Sequence, residues 1–175
     1  MGVIEVLRGR RSCKDFLDTP VPVETLSELV DIARCSPSGD NKNAWRFIII
    51  TGRRALDRLS EIARTCSWLH SAQAAIAVVV DPASTCYWLE DCSVAAYSIW
   101  LAAEARGVGA AWAAMHQSDN HEESSRRQKY VREILSIPDQ LSIPMVMGLG
   151  YCKSPPAEKE RPTLEEIINW ENYPV

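Results

Sequence analysis

Three short stretches of this chain carry residue types suited to holding an anionic small molecule with a polar edge. The first is Arg10-Arg11-Ser12-Cys13-Lys14-Asp15-Phe16, with three cations and a hydroxyl within five residues. A guanidinium can clamp a phosphate with two hydrogen bonds, and an ammonium adds a point charge. A basic helix end that merely complements the helix dipole would show the same residues. The second stretch runs over residues 36–47, Ser-Pro-Ser-Gly-Asp-Asn-Lys-Asn-Ala-Trp-Arg-Phe. Its amides, Asn41 and Asn43, each offer a donor and an acceptor, which suits the edge of a heterocycle. A plain turn also uses these residues. The third is Gly148-Leu149-Gly150-Tyr151, followed by Lys159-Glu160-Arg161. Glycines at a strand end permit close backbone approach to a ligand, and a second pair of cations follows. No dinucleotide fingerprint is formed. Gly107-Val108-Gly109 follows a helical pattern and lacks the third glycine, and Gly148 and Gly150 do not open a helix.

Hydrophobic spacing outlines the elements that must position these stretches. Val3, Val6 and Leu7, then Leu26, Leu29, Val30 and Ala33, follow helical spacing, with Pro20 and Pro22 between them. Phe47 to Ile50 and Ala74 to Val80 are continuous apolar runs, the pattern of strands covered on both faces. Leu56, Leu59, Ala63 and Cys66 restore a helical period. Residues 86–106 predict the main helix, apolar almost all the way round, so its cover is expected to include a second subunit. Residues 107–115 and 143–149 predict two more strands, with a helix around Tyr130, Val131, Ile134 and Leu135. Thr163 and Glu166 have capping-box spacing and predict a short last helix. Aromatics in the tail from Trp170 have no obvious partner within the chain. The expected architecture is one α+β domain over residues 1–175.

Composition limits the function classes. With 175 residues, 46% hydrophobic and 24% charged, the chain can bury a core without staples. A net charge of −4 argues against a general nucleic-acid binder. The longest apolar run, from Cys92 to Ala103, falls short of the roughly twenty residues that cross a bilayer. Charged residues at positions 5, 8, 10 and 11 leave no apolar signal-peptide core at the start. The six cysteines form no CxxC pair and are expected to be reduced thiols of a cytoplasmic protein. Cys13 is expected to be a small packing residue. The three histidines show no zinc-ligand spacing.

Taken in this order, the motifs resemble the FMN-dependent nitroreductase family, from Val3 to about Trp170. Arg10-Arg11-Ser12-x-Lys14-x-Phe16 is similar to the family's opening flavin motif. Ser36-Pro37-Ser38-x-x-Asn41-x-Asn43-x-Trp45-x-Phe47 is similar to its second, and residues 107–112 to the strand beneath the flavin ring. Gly148-Leu149-Gly150-Tyr151 with Lys159-x-Arg161 is similar to its closing motif.

The resemblance implies a homodimer with a mixed, largely antiparallel sheet flanked by helices, and FMN at the subunit interface. Arg10, Arg11 and Ser12 would hold the phosphate and ribityl chain, and Lys159 and Arg161 would close on the phosphate. Lys14 would face flavin N1 and O2, and Asn41 and Asn43 the pyrimidine edge. Pro37, Ser38 and Gly39 would come from the partner subunit. The backbone of Trp112, Ala113 and Ala114 would lie near N5. The implied activity uses NAD(P)H to reduce nitroaromatic, quinone or related acceptors by a ping-pong two-electron mechanism, with no general acid or nucleophile on the protein. Dehalogenation, flavin destruction and azoline oxidation on the same fold stay open, as does a non-catalytic or redox-sensing flavin protein. Departures are few: Lys14 where Arg is frequent, Gly39 for Ser, Ala44 and Cys152 for Pro. The chain also lacks the inserted helices of longer relatives.

Overall fold

The computed structural model describes residues 2–155 and 160–173. Its organising element is the strand β2 (Ala74–Val80), whose seven residues are all apolar and all buried. Such a run, with no polar alternation, needs cover on both faces. It lies in a sheet with β1 (Trp45–Ile50), β3 (Gly109–Ala114) and β4 (Ser142–Gly150). The strand order is β1-β2-β4-β3, and every pairing is antiparallel. Among the described residues the one parallel pairing is an isolated bridge between Ser12 and Ala110. The parallel component expected of a mixed sheet is reduced to that contact.

Helices α1 (Val3–Gly9), α2 (Val23–Ala33) and α4 (Trp88–Ala105) gather on one side of the sheet. There Leu26, Leu29, Ile99 and Ala103 pack against Ile76, Val78 and Met147. On the other side lie α3 (Arg53–Ser60), a 3-10 turn (Arg64–His70) and α5 (His121–Leu135). Leu56, Leu59 and Leu69 there meet Ala77, Val79 and Val146. A four-residue helix, α6 (Leu164–Ile167), follows later in the chain, with Thr163 N–H held by the Glu166 carboxylate at 2.7 Å. No helix among the described residues is long and apolar enough to cross a membrane.

Three expectations need correction. The run in β1 reads as fully covered, but β1 is an edge strand and Ile49 stays 38% exposed. The helical spacing of Leu56, Leu59 and Cys66 is shared by two elements, because α3 stops at Ser60 and Cys66 sits in the 3-10 turn. The cysteines are not all thiols: Cys13 and Cys152, 139 positions apart, form a disulfide with their Cα atoms 6.0 Å apart. Chain crossing is the reason. The Ser12–Ala110 bridge and an antiparallel bridge between Phe16 and Cys152 bring the two segments together, and no local spacing could announce that. The other four cysteines are free, Cys35 and Cys86 exposed, Cys66 and Cys92 buried. Burial pushes the Cys92 thiol up to about 12.

Candidate functional site

Helix α1 ends at Gly9, and Arg10 leaves it with extended backbone angles. The chain then meets the outer edge of β3, where Cys13 N–H donates to Ala110 O at 3.0 Å. This turn lays Arg10 against α4, its guanidinium 4.3 Å from the Trp100 ring centroid and 5.8 Å from that of Tyr97. Arg11 folds back: its Nη1 donates to Arg8 O at 2.9 Å and Arg10 O at 2.8 Å. Arg8 O belongs to the last turn of α1, whose carbonyls have no partner within the helix and carry the negative end of its dipole. Arg161 Nη2 donates to the same Arg8 O at 2.6 Å. One helix end thus collects cations from the two ends of the chain.

Between them lies a cleft of about 410 Å³, lined by Arg10, Arg11, Ser12, Tyr97, Trp100, Glu160 and Arg161 among others. Among the described residues, three of its lining side chains hold buried donors without partners: Arg10 Nε, Arg11 Nε and Trp100 Nε1. A buried donor left unsatisfied costs about 1 to 3 kcal/mol, so such atoms are ordinarily paired. Three around one cleft, with three guanidiniums against the single Glu160 carboxylate, suit an anionic group.

Among the described residues no strand pairs with the rest of the β3 edge. Ala110 O points outward to Cys13, so by the two-residue period of a strand the backbone groups of Trp112 and Ala114 also face the open edge. Arg127 Nη1 bears this out by donating to Ala114 O at 2.9 Å. The Ala114 N–H beside it is a donor aimed away from the sheet. Ala113, one residue off the period, is buried in the core facing α5. From Ala110 to Ala114 the edge runs for roughly 13 Å.

Arg127 is held in place by α5. Asn120 caps that helix, accepting from Glu123 N–H at 2.9 Å, and Glu123 in turn accepts from Arg126 and Arg127, each at 2.7 Å. Hydrogen bonds from Arg126 and then Arg127 hold the Glu123 carboxyl down at about 2, so the pair stays charged through the physiological range. Lys14 is exposed, with its ammonium 5.9 Å from the Trp68 ring centroid. Burial raises the Cys66 thiol, while Thr65 and the charges of Arg127 and Lys14 lower it in part. Arg127 and Lys14 thus both lie within electrostatic reach of Cys66.

The loop of residues 36–43 is tied to α4 at two points, the first being Ser36 Oγ at 2.7 Å from Ser98 Oγ. Asp40, Asn41 and Asn43 all have positive φ, near 50°, a conformation that asparagine and aspartate tolerate better than most residues. Asn43 spends its amide inside the loop, donating to Asn41 O at 2.9 Å and Asn41 Oδ1 at 3.1 Å, and its N–H donates to Ser38 Oγ. Pro37 is exposed and Ser38 half-buried. Gly39 N–H donates to the buried Asp91 at 2.9 Å, and a Cβ on Gly39 would run into Tyr87. Asp91 and the Trp100 beneath Arg10 are nine residues apart on α4, roughly 13 Å along its axis. The loop leads into β1, the edge opposite β3. One chain does not bring Asn41 and Asn43 to the arginine cleft.

Gly148 and Gly150 answer to packing. A Cβ on Gly148 would strike Trp68 and Leu69, and one on Gly150 would strike Phe16. On that side protein side chains fill the space that the sequence reading reserved for a ligand. Lys159 lies outside the described residues. Sequence reasoning missed Tyr97, Trp100, Arg127 and Glu123. The first two were hidden in a helix apolar all round, and the other two look like ordinary surface charge at i, i+4.

Comparison with known proteins bears on the family and the fold. The model of the Nitroreductase family matches residues 7–83 and 65–151. A protein of Methanothermobacter thermautotrophicus named "Putative NADH dehydrogenase/NAD(P)H nitroreductase" is 31% identical over 163 residues, covering 91% of this chain and 82% of its own. The solved structure of a protein with the same name from Parabacteroides distasonis superposes with a TM-score of 0.89 at 29% identity, over 98% of both chains. An FMN-dependent nitroreductase of Clostridium difficile superposes at 0.85 with 27% identity, over 97% of this chain and 99% of its own. With a family match across most of its length, and a relative 31% identical over 91% of it, the chain belongs to the nitroreductase family.

Proposed function

We propose that this protein is an FMN-dependent oxidoreductase that draws electrons from NAD(P)H and passes them to a nitroaromatic, quinone or related acceptor. The observation that carries the reading is the trio of buried, unpartnered donors on Arg10, Arg11 and Trp100 around one cleft. Its support from relatives is the FMN-dependent nitroreductase that shares the fold over nearly the whole chain. When bound, FMN supplies the two-electron chemistry. The protein's residues bind and orient. Arg10, Arg11, Ser12 and Arg161, with Lys159, hold the phosphate end. Lys14, exposed beside the Trp68 ring, would present a cation toward the pyrimidine end of the ring. The outward N–H of Ala114, steadied by Arg127 on the adjoining carbonyl, is a hydrogen-bond donor for the ring. No side chain near this edge is required as a nucleophile.

The second half of the site is proposed to come from another copy of the chain. Pro37, Ser38, Gly39, Asn41 and Asn43 lie at the sheet edge away from the arginine cleft, so their participation calls for two chains. Val94 and Tyr97 on α4 are 41% and 38% exposed, and Val3 and Ile4 on α1 are 72% and 60% exposed. Beside them an apolar groove of about 260 Å³ runs between α1, α2 and α4. Light scattering of the flavin-loaded protein should give about twice the chain mass. A well-folded, flavin-loaded monomer would refute the two-chain site.

The direct test is the colour of the protein. Cofactor released by heat should run as FMN in chromatography, and anaerobic NADH or NADPH should bleach the bound flavin. Recovery of mainly FAD would sink the cofactor reading. Yellow protein that neither nicotinamide bleaches would sink the activity.

A further inference from the structure

The disulfide between Cys13 and Cys152 joins the two segments that furnish the arginine cleft. Cys13 stands between Ser12 and Lys14, inside the opening cluster. Cys152 opens the segment that leads to Arg161. Besides the sulfur bond, the two segments are held by Leu17 N–H on Tyr151 O at 2.7 Å, Lys153 N–H on Asp15 O at 3.1 Å, the exposed Lys153–Asp15 ion pair at 2.9 Å and the buried Phe16 ring against Gly150. The exposed ion pair is individually weak. The fold also makes room for the pair. Gly109, the first residue of β3, has no Cβ, and one added there would collide with Cys152 Sγ and with Cys13.

The two sulfurs differ in access. Cys13 is 3% exposed. Cys152 is half-buried and lines a small cavity of about 90 Å³ together with Arg11, Glu104 and Gly109. Arg11 and Glu104 set one positive and one negative charge in that wall. We propose that Cys13–Cys152 is a thiol–disulfide exchange site whose oxidised form holds the arginine cleft together and so regulates retention of FMN, a consequence that rests on the FMN reading above. A thiolate of an external dithiol attacks Cys152 Sγ, the sulfur–sulfur bond breaks, and Cys13 leaves as a thiolate that takes up a proton. The second thiol of the reductant then displaces Cys152 from the mixed disulfide. The protein gains two electrons and two protons, and the reductant ends as its own disulfide. Re-oxidation consumes a low-molecular-weight disulfide such as oxidised glutathione, which leaves as two thiols.

The test compares the full-length protein before and after dithiothreitol. Alkylation and peptide mapping should label Cys35 and Cys86 in both samples, but Cys13 and Cys152 only after reduction. Labelling of Cys13 and Cys152 in unreduced protein would overturn the proposal. Once dithiothreitol is removed, the FMN dissociation constant should be at least about fivefold weaker, and oxidised glutathione should restore it. Cys152→Ser and Cys13→Ser should match the reduced protein and ignore the reductant. Equal affinities of oxidised and reduced wild type overturn the proposal, whether or not the variants fold. A readout independent of flavin separates the two readings. In FMN-free protein, reduction should speed amide exchange at Leu17 and Lys153, whose N–H groups bond across the joined segments. If neither redox form binds FMN, the cofactor reading fails and exchange alone decides: faster exchange keeps the coupling, unchanged exchange overturns it.

Discussion

Arg161→Ala is expected to weaken FMN binding by about 1.5 to 3 kcal/mol, a loss of roughly ten- to 150-fold, if this guanidinium makes a charged hydrogen bond to the phosphate. The structure makes Arg161 a cleaner variant to examine than Arg11. Its only side-chain hydrogen bond among the described residues is to Arg8 O, and the segment around it is exposed. Arg11→Ala should cost a similar amount of binding. It also removes the donor that caps the last carbonyls of α1, so a thermal midpoint must be recorded beside each affinity. Fluorescence titration at two salt concentrations separates the contributions, because a cation–phosphate contact weakens as salt screens it. Unchanged affinity in both variants would mean that the arginine cleft does not hold the phosphate.

Lys14→Met should lower the two-electron midpoint potential of the bound flavin while leaving the phosphate contacts intact. The sign follows from charge: an ammonium near the ring stabilises the anionic reduced state more than the neutral oxidised one, so its removal makes reduction harder. A loss of about 1.4 kcal/mol corresponds to about 30 mV for a two-electron couple, and several tens of millivolts is the expected scale. Lys14 is exposed and faces the Trp68 ring. Solvent therefore screens it, and the shift should sit at the low end of that scale. Lys14→Arg should stay close to the parent, since it keeps the charge. The idea is falsified if Lys14→Met retains FMN with an unchanged potential.

These two positions show how differently parts of the site were legible. The cluster from Arg10 to Lys14 could be read directly, because five consecutive residues cannot be far apart in any fold. The elements around it were readable for the same local reason. β2 announces itself as seven apolar residues in a row, and α4 as a helix with almost no polar face. The 36–43 loop was legible as a polar turn before a strand, but its place at the far edge of the sheet was not. Gly148 and Gly150 misled, since a glycine marks only that a Cβ does not fit. Trp68, Leu69 and Phe16 need that room, and none of them is a sequence neighbour of either glycine.

By itself, then, the sequence determined the family pattern, the order of strands and helices, and the opening cations, all of which rest on residues within a turn or two of one another. Tertiary structure alone decided four further matters. It brought Arg161 back to the carbonyl of Arg8, slid Trp100 beneath Arg10, turned the Ala114 N–H to a free edge, and joined Cys13 to Cys152 across 139 positions. The physical reason is the same in each case. Helical and strand periods record which face of a segment is buried, but long-range contacts are set by how the covered sheet stacks its layers, and that packing leaves no periodic trace in the chain.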